Sequence, residues 1–386
     1  MKGIEKSHCN AVIQAILSAF WSLMGSSAQE ALRQVLTYGK GDTLSLDAGP
    51  EINIVRHLQR YDDHSVVITE ETGQANGYFF ESDDRSKYRT IFFCDPTDRS
   101  RQLKEALDSV DDKTSKVGDI FRKPEFQKDW EKRFGGIAAI SGASSAVTCI
   151  RRGVPVFSVI ANYITHQMFL SCSAGNYVVK IPDKQVRARP INVDFITTHA
   201  DRVYFHDLDH ADARLFVTFM GKSGYRENMV DSKLMDGSEI DQSLFYDIPG
   251  GPLRILYLST LQPADKEIGF ILANGEKIGE WIHWLPFVRF ARKKHDDSEP
   301  ALRLFEVYQD RPHTKEGILM STPPAYSVFK PFNKHDERMR IDVSRFADFP
   351  NPSRIRATLI VTPYDNDRVT SVVRQYGYRA IELYSE

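Results

Sequence analysis

VVITEETG at 66–73 and TIFFCDPTDRS at 90–100 decide how this chain is read. Two apolar runs, 66–69 and 91–94, each end abruptly in carboxylates. Glu70 and Glu71 follow the first; Asp95 and Asp98 follow the second. Short runs of β-branched and aromatic residues predict buried strands. Carboxylates at the ends of two such strands suit a hard cation better than a core. Asp95 and Asp98 flank a turn stiffened by Pro96, so both can face one ion, with the Thr97 carbonyl as a further oxygen ligand. The donors are all oxygens, which selects Mg²⁺, Mn²⁺ or Ca²⁺ over Zn²⁺. A pair of such cations polarises a phosphate, generates hydroxide and stabilises the leaving oxygen, so the pattern predicts phosphate ester hydrolysis. Ser100 can orient the attacking water with Glu70 and offer its backbone N–H to phosphate. Arg99 either adds a charge-assisted contact or faces solvent. Taken singly, Glu70-Glu71 is an ordinary exposed pair and Asp-Pro an ordinary turn; it is the pairing of the two strand ends that carries the reading.

The 386 residues allow one large or two ordinary domains. An apolar fraction of 41% and a charged fraction of 26% describe a soluble globular protein. A net charge of −2 supplies no basic field to recruit nucleic acid, so an anionic ligand must be held by local charges or metals. Cys9, Cys94, Cys149 and Cys172 have no CxxC spacing, and reduced buried thiols fit a cytoplasmic protein. Near the N-terminus, AVIQAILSAFWSLMGSSA (11–28) imitates a signal peptide, but Gln14, Ser18 and Ser22 interrupt it. Val12, Ile13, Ile16, Leu17 and Phe20 have helical spacing, so an amphipathic helix is preferred. No run is long enough to span a bilayer.

In chain order, one or two helices are expected over 4–37, broken near Gly25-Ser26-Ser27. A helix is expected to open at Pro50, with Glu51 near its positive end. Asp47, just before it, reads either as an N-cap or as a ligand for a loosely held extra metal. Residues 101–134 read as an exposed excursion or lid, with helical character in RQLKEALDSV (101–110). From Phe134, five short apolar runs separated by turn residues suggest an antiparallel meander to about 182, followed by a linker over 183–201. RVYFH (202–206) and LRLFEVY (302–308) read as strands, and DARLFVTFMGK (212–222) as a helix. PGGPLRILYLSTL (249–261) reads as a turn and a helix, with Gly250 and Gly251 as candidate substrate-binding positions. In 269–294, an apolar segment and an Asn274-Gly275 turn precede a second helix. Residues 356–385 read as strand–helix–strand. The expected division is 1–190, an α+β domain with the acidic motifs; 191–330, an α/β domain completing the site; and 331–386, a βαβ-like extension.

EE-T-G followed by D-P-T-D-R-S resembles the inositol monophosphatase/fructose-1,6-bisphosphatase superfamily, whose signatures are a Glu-Glu pair after one strand and Asp-Pro-(Ile/Leu)-Asp-Gly-(Ser/Thr) after the next. The resemblance covers residues 5–325, with the order of elements in agreement. It implies an α/β fold, a layered αβαβα sandwich of sugar-phosphatase type. It also implies metal-dependent, typically lithium-sensitive phosphomonoesterase activity with two or three Mg²⁺ ions, or Mn²⁺. Onto this chain it carries Glu70, Asp95, Asp98 and the Thr97 carbonyl as metal ligands. Asp47 joins a third, weaker metal site, and Ser100 pairs with that site to activate water. The family's late Trp-Asp motif matches GEKIGEWIHW (275–284), which aligns Glu280 with the Asp that completes the second metal; a helix N-terminal acid is the plainer reading of Glu280. Arg99 stands where the family has Gly, and Ala273 where inositol-specific members place an acid that contacts substrate hydroxyls. A sugar phosphate or a phosphorylated nucleoside or nucleotide is therefore expected in place of myo-inositol monophosphate. The expected partner is this small substrate, without nucleic acid or membrane, and with a homodimer as an allowed assembly. The alternative is an inactive pseudo-phosphatase that binds a phosphorylated ligand or protein.

Elsewhere, His206, Asp207, Asp209 and His210 have metal-like composition but equally fit a strand end running into a solvated helix. His283, between Trp281 and Trp284, reads as helix packing before catalysis. Arg289 and Arg292 sit in a basic cluster that reads as a solvated face or as a hold on an anionic substrate.

Overall fold

The two quoted runs form neighbouring parallel strands. Strand β1 (Ser65–Thr69) pairs with β2 (Thr90–Asp98) in the register Ser65↔Thr90 to Thr69↔Cys94. In this computed structural model the described residues are 3–36, 43–59, 65–69, 90–134, 142–182, 190–204, 214–219, 268–277, 281–293, 296–308, 329–331, 339–341, 356–364, 370–371, 374 and 377–383. Successive side chains of a strand point to opposite faces. On β2, Phe92 and Cys94 enter one apolar cluster while Ile91 and Phe93 enter another. The strand is buried on both faces, which is why it reads as a continuous apolar run.

The meander continues from β2 through β3 (Ser144–Arg151), β4 (Val154–Asn162), β5 (Gln167–Cys172) and β6 (Gly175–Lys180) to β7 (Asp201–Val203). Every pairing after β1–β2 is antiparallel, giving a seven-stranded sheet in chain order. The expected meander is present, except that its first run, 134–141, begins at the last residue of a helix and otherwise lies outside the described residues.

Helices cover one face. Helix α1 (Gly3–Gly25) buries Val12, Ile13, Ile16, Leu17 and Phe20 against the sheet. The break at Gly25–Ser27 is present, and Ser27 caps α2 (Ala28–Ala31) in a reciprocal pair with Glu30. Helix α3 (Ser45–Leu58) lies beside α1. It starts five residues earlier than expected, so Pro50 lies inside the helix. The N-cap is Leu44, without a side-chain bond, and Asp47 is the third helical residue, which removes the N-cap reading.

The stretch read as an exposed excursion is helical and packed. It forms α4 (Ser100–Asp108), α5 (Val117–Phe121) and α6 (Pro124–Phe134). Leu103, Leu107, Val117, Phe121 and Trp130 are buried in the α1 core. The charged residues dominate the composition, but the apolar ones fall on one face, and that face is what packs. Within the expected linker, Asn192 caps α7 (Val193–His199), its Oδ1 accepting from the Phe195 N–H at 2.8 Å.

The other face of the sheet meets Trp281, Ile282 and Trp284, then α8 (Leu285–Arg289). Beyond these lies a five-stranded sheet built from β8 (Arg214–Phe219), β9 (Ile268–Lys277), β10 (Leu302–Tyr308), β13 (Arg356–Pro363) and β14 (Arg379–Leu383), in the order β14-β10-β13-β9-β8. A short separate ladder of β11 (Phe329–Pro331) and β12 (Met339–Ile341) packs Phe329 and Ile341 into the same apolar cluster, and the Ile341 N–H donates to the Gly153 carbonyl at 2.7 Å. The described layers are thus helix, sheet, helix, sheet, an α/β sandwich.

Two expectations fail here. RLFVTF is a strand, parallel to β9, and not a helix. Its five apolar and β-branched residues after Arg214 fit either period, and pairing decides. Asn274-Gly275 makes no turn: β9 runs through it, with Asn274 opposite Phe219 and Glu276 opposite Ala357. Ladders on both sides hold the pair extended against its turn propensity. The C-terminal strands β13 and β14 are both antiparallel to β10, which lies between them.

Candidate functional site

The acidic motif sits on a β-bulge. Asp95 pairs with Ala146 and Asp98 with Ser144, so Pro96 and Thr97 together oppose Ser145 alone. Pro96 has no N–H for the ladder, which makes this the natural place for the extra residue. The bulge is held from below: the Ser145 hydroxyl donates to the Pro96 carbonyl and is hydrogen-bonded to the Tyr163 hydroxyl. Tyr163 is fully buried and stacks on Phe20 with ring centroids 5.7 Å apart. Burial pushes the Tyr163 phenol far above its ordinary value, so it stays neutral and serves as a hydrogen-bonding strut.

A second tie comes from α3. A proline at position 50 cannot donate to the carbonyl four residues back, that of Leu46. Thr97 Oγ1 donates to that same carbonyl at 2.8 Å. The helix interruption is therefore answered by the bulge, 51 positions away in sequence. The bond sets the first turn of α3, with Asp47, against the Asp-Pro-Thr-Asp turn. Asp47, Asp95 and Thr97 are all buried, and Asp98 is half-buried.

Arg99 occupies the left-handed region, at φ 64° and ψ 32°, and is the N-cap of α4. Left-handed backbone favours glycine and costs an L-residue about 1–2 kcal/mol. Arg99 is only 8% exposed, which removes the solvent-facing reading. Ser100 is the first residue of α4, so its N–H belongs to the set that a helix leaves without internal partners.

The structure adds one carboxylate that the sequence reading gave only a helix-dipole role. Glu51 follows Asp47 by four positions on α3 and is 0% exposed. It accepts a hydrogen bond from Thr69 Oγ1, at the end of β1. The i,i+4 spacing of Asp47 and Glu51, which puts both on one helix face, was the available signal.

Of the expected site residues, Asp95, Thr97, Asp98, Arg99 and Ser100 follow one another along the bulged end of β2 and the start of α4, and the Thr97–Leu46 bond sets the turn that carries Asp47 beside them. Glu70, Glu71, Gly250, Gly251 and Glu280 lie outside the described residues, as do His206, Asp207, Asp209 and His210. Among the described residues no three His, Cys, Asp or Glu side chains group as metal ligands. His283 is a packing residue: it is fully buried, its Nδ1 lies 3.0 Å from Thr148 Oγ1, and burial pushes its imidazole down to about 3.

No protein-family model matches the chain, and no curated protein matches its sequence. Solved structures do match. CysQ from Bacteroides thetaiotaomicron, described as a bacterial member of the inositol monophosphatase family, aligns at TM-score 0.52 and 12% identity over 94% of this chain and 98% of its own. This chain has the inositol monophosphatase fold. Extragenic suppressor protein SuhB from Bartonella henselae aligns at 0.49 and 13% identity, covering 95% and 97%. Inositol monophosphatase from Anabaena aligns at 0.47 and 10% identity, covering 96% and 95%. Identities this low speak to the fold and not to the reaction. Within this fold, the bulged end of β2 and the first turn of α3 are joined by the Thr97–Leu46 bond.

Proposed function

We propose that the chain is a divergent inositol monophosphatase-like enzyme, a Mg²⁺-dependent phosphomonoesterase acting on a sugar phosphate or a phosphorylated nucleoside or nucleotide. The reading rests on one observation: the Thr97–Leu46 bond ties the first turn of α3, which carries Asp47, to the bulge that carries Asp95 and Asp98. The donor chemistry fits the ion, since these groups are hard oxygen donors. Asp95, Asp98 and the Thr97 carbonyl, with Glu70 and Glu280, would hold the cations. When bound, Mg²⁺ supplies charge neutralisation at the phosphate and an acidified water.

The chain's own groups do the rest. Asp47 and the Ser100 hydroxyl orient the water and take its proton, with Glu70 as a further base. The Ser100 N–H, at the start of a nine-residue helix, meets a phosphate oxygen. The Arg99 guanidinium adds a charge-assisted contact, and Gly250 and Gly251, having no side chains, would let the substrate approach the backbone closely. The four free, buried cysteines support a reducing, cytoplasmic setting.

One observation favours the rival reading of a phosphoryl-ligand binder without turnover. A buried arginine stands at a left-handed position where glycine is the unstrained choice and where the family keeps Gly. Phosphate release with Mg²⁺ from a panel of sugar phosphates and nucleotides separates the two. The enzyme reading requires Mg²⁺-dependent release that Asp98→Asn abolishes while its circular dichroism is unchanged. Release that persists in Asp98→Asn sinks the site assignment, and no release from any substrate sinks the enzyme.

A further inference from the structure

The turn that joins β4 to β5 is tied to α1, to α6 and to the residue after β6. Asn162 Oδ1 accepts from the N–H groups of Ile164 and Thr165 at 2.8 and 3.1 Å. The Ile164 carbonyl accepts from Gln127 Nε2 of α6 at 3.3 Å. The His166 carbonyl accepts from the Ile181 N–H at 2.7 Å. Phe20 of α1 lies flat against Tyr163, with 9° between the rings, and meets the His166 ring edge-on at 5.3 Å. Connecting segments ordinarily run over the surface and move more than the strands they join. This one is buried and fixed, and what it presents to the acidic bulge is the Tyr163 hydroxyl.

Counting protons gives that hydroxyl a direction. Ser145 has one hydroxyl proton, and the Pro96 carbonyl can only accept. Ser145 therefore donates to Pro96, and its oxygen takes the proton of Tyr163. The result is a one-way chain from phenol to hydroxyl to carbonyl. Ser145 and Tyr163 are fully buried and Pro96 is buried, a setting in which successive hydrogen bonds polarise and strengthen one another. The chain ends inside the motif. The Pro96 carbonyl shares one rigid peptide plane with the Thr97 N–H, so pinning the carbonyl fixes the plane that lies between Asp95 and Asp98. Thr97 Oγ1 is held separately, by the Leu46 carbonyl.

We propose, resting on the metal-dependent reading above, that Ser145 and Tyr163 are positioning residues of the carboxylate centre, setting Asp95, the Thr97 carbonyl and Asp98 at the spacing a divalent cation needs. Neither is itself a ligand; both act through the peptide between Pro96 and Thr97. A ligand set that is already in place spares the ion the cost of ordering it. Groups that orient metal ligands in this way are typically worth about 10–100-fold in metal affinity.

Mn²⁺ is the probe, because its electron-spin resonance distinguishes free from bound ion without any turnover. Titration of the wild type should show saturable uptake. Ser145→Ala should weaken Mn²⁺ about tenfold. Tyr163→Phe keeps the ring on Phe20 and removes only the donor. It should weaken Mn²⁺ several-fold and alter the spectrum of the bound ion. The double variant should bind no more weakly than Ser145→Ala, because a chain cut at Ser145 has nothing further to lose at Tyr163. Ile120→Val, buried in the same apolar cluster on α5 but outside the chain, should lower the urea midpoint and leave Mn²⁺ binding as in the wild type. Tyr163→Phe decides the matter even if Ser145→Ala does not fold. A wild type that takes up no Mn²⁺ overturns the metal reading, and the positioning role with it. A wild type that binds, with Tyr163→Phe matching it in affinity and spectrum, overturns the positioning role alone. So does an equal loss of affinity in Ile120→Val, or additive losses in the double variant.

Discussion

The tie between Pro50 and Thr97 can be measured as a coupling. Thr97→Val keeps the shape of the side chain and removes the donor to the Leu46 carbonyl. That carbonyl is buried, and Pro50 cannot serve it. Leaving a buried acceptor without its bond costs about 1–3 kcal/mol. In a Pro50→Ala background, the backbone N–H restored at position 50 can make the ordinary helical bond to Leu46. There the same Thr97→Val change should cost less than about 1 kcal/mol. The expected coupling is therefore about 1–2 kcal/mol, well above the roughly 0.5 kcal/mol within which independent sites add. Urea unfolding of the four proteins, followed by tryptophan fluorescence, gives the four free energies. If Thr97→Val costs the same in both backgrounds, the proline is not what the threonine compensates.

Three further outcomes are expected. The His283 imidazole is pushed down to about 3 from an ordinary 6.5. Below pH 6.5 the unfolded chain takes up a proton that the folded chain refuses, so the folded state loses up to about 1.4 kcal/mol per pH unit as pH falls toward 3. The stability advantage of the wild type over His283→Gln should therefore shrink as pH is lowered from about 7 to about 5, and parallel urea midpoints would refute this. Burial pushes the Cys9, Cys149 and Cys172 thiols up, and Cys94 is equally buried. A disulfide reagent at about pH 8 should thus leave the native protein unlabelled and modify four thiols after unfolding; fast native labelling would contradict the packing. Glu51→Ala should lose about 1–3 kcal/mol by stranding the buried Thr69 hydroxyl, while Glu51→Gln, which keeps an acceptor oxygen, should recover most of it.

Where the fold depends on local pattern, it was legible. The meander announced itself because each strand is short, apolar and bounded by turn residues. The pair β1–β2 did so because both strands are buried on two faces. The site was legible as a motif, since Asp95, Thr97 and Asp98 are contiguous. What stayed hidden depends on partners distant in sequence. Pro50 looked like the start of a helix, and only Thr97 explains why it can lie inside one. Glu51 looked like a dipole-favouring acid until β1 was laid over it. Arg214–Phe219 and Asn274-Gly275 follow neighbouring strands against their local signals. The helical character of RQLKEALDSV was legible and α4 bears it out, but the charge of the stretch hid the later helices and the packed side that Leu103, Leu107 and Trp130 mark.

The order of the second sheet has a consequence for how the molecule comes into being. Strand β13 separates β9 from β10, and it is drawn from residues 356–363. A chain emerging from the ribosome holds the whole seven-stranded sheet, complete by residue 203, long before that seat can be filled. Until it is filled, β9 and β10 each present an open edge, the form in which nascent chains pair with the wrong neighbour. The half that carries the acidic motif can thus mature early, while the other half waits for nearly the last strand to be made.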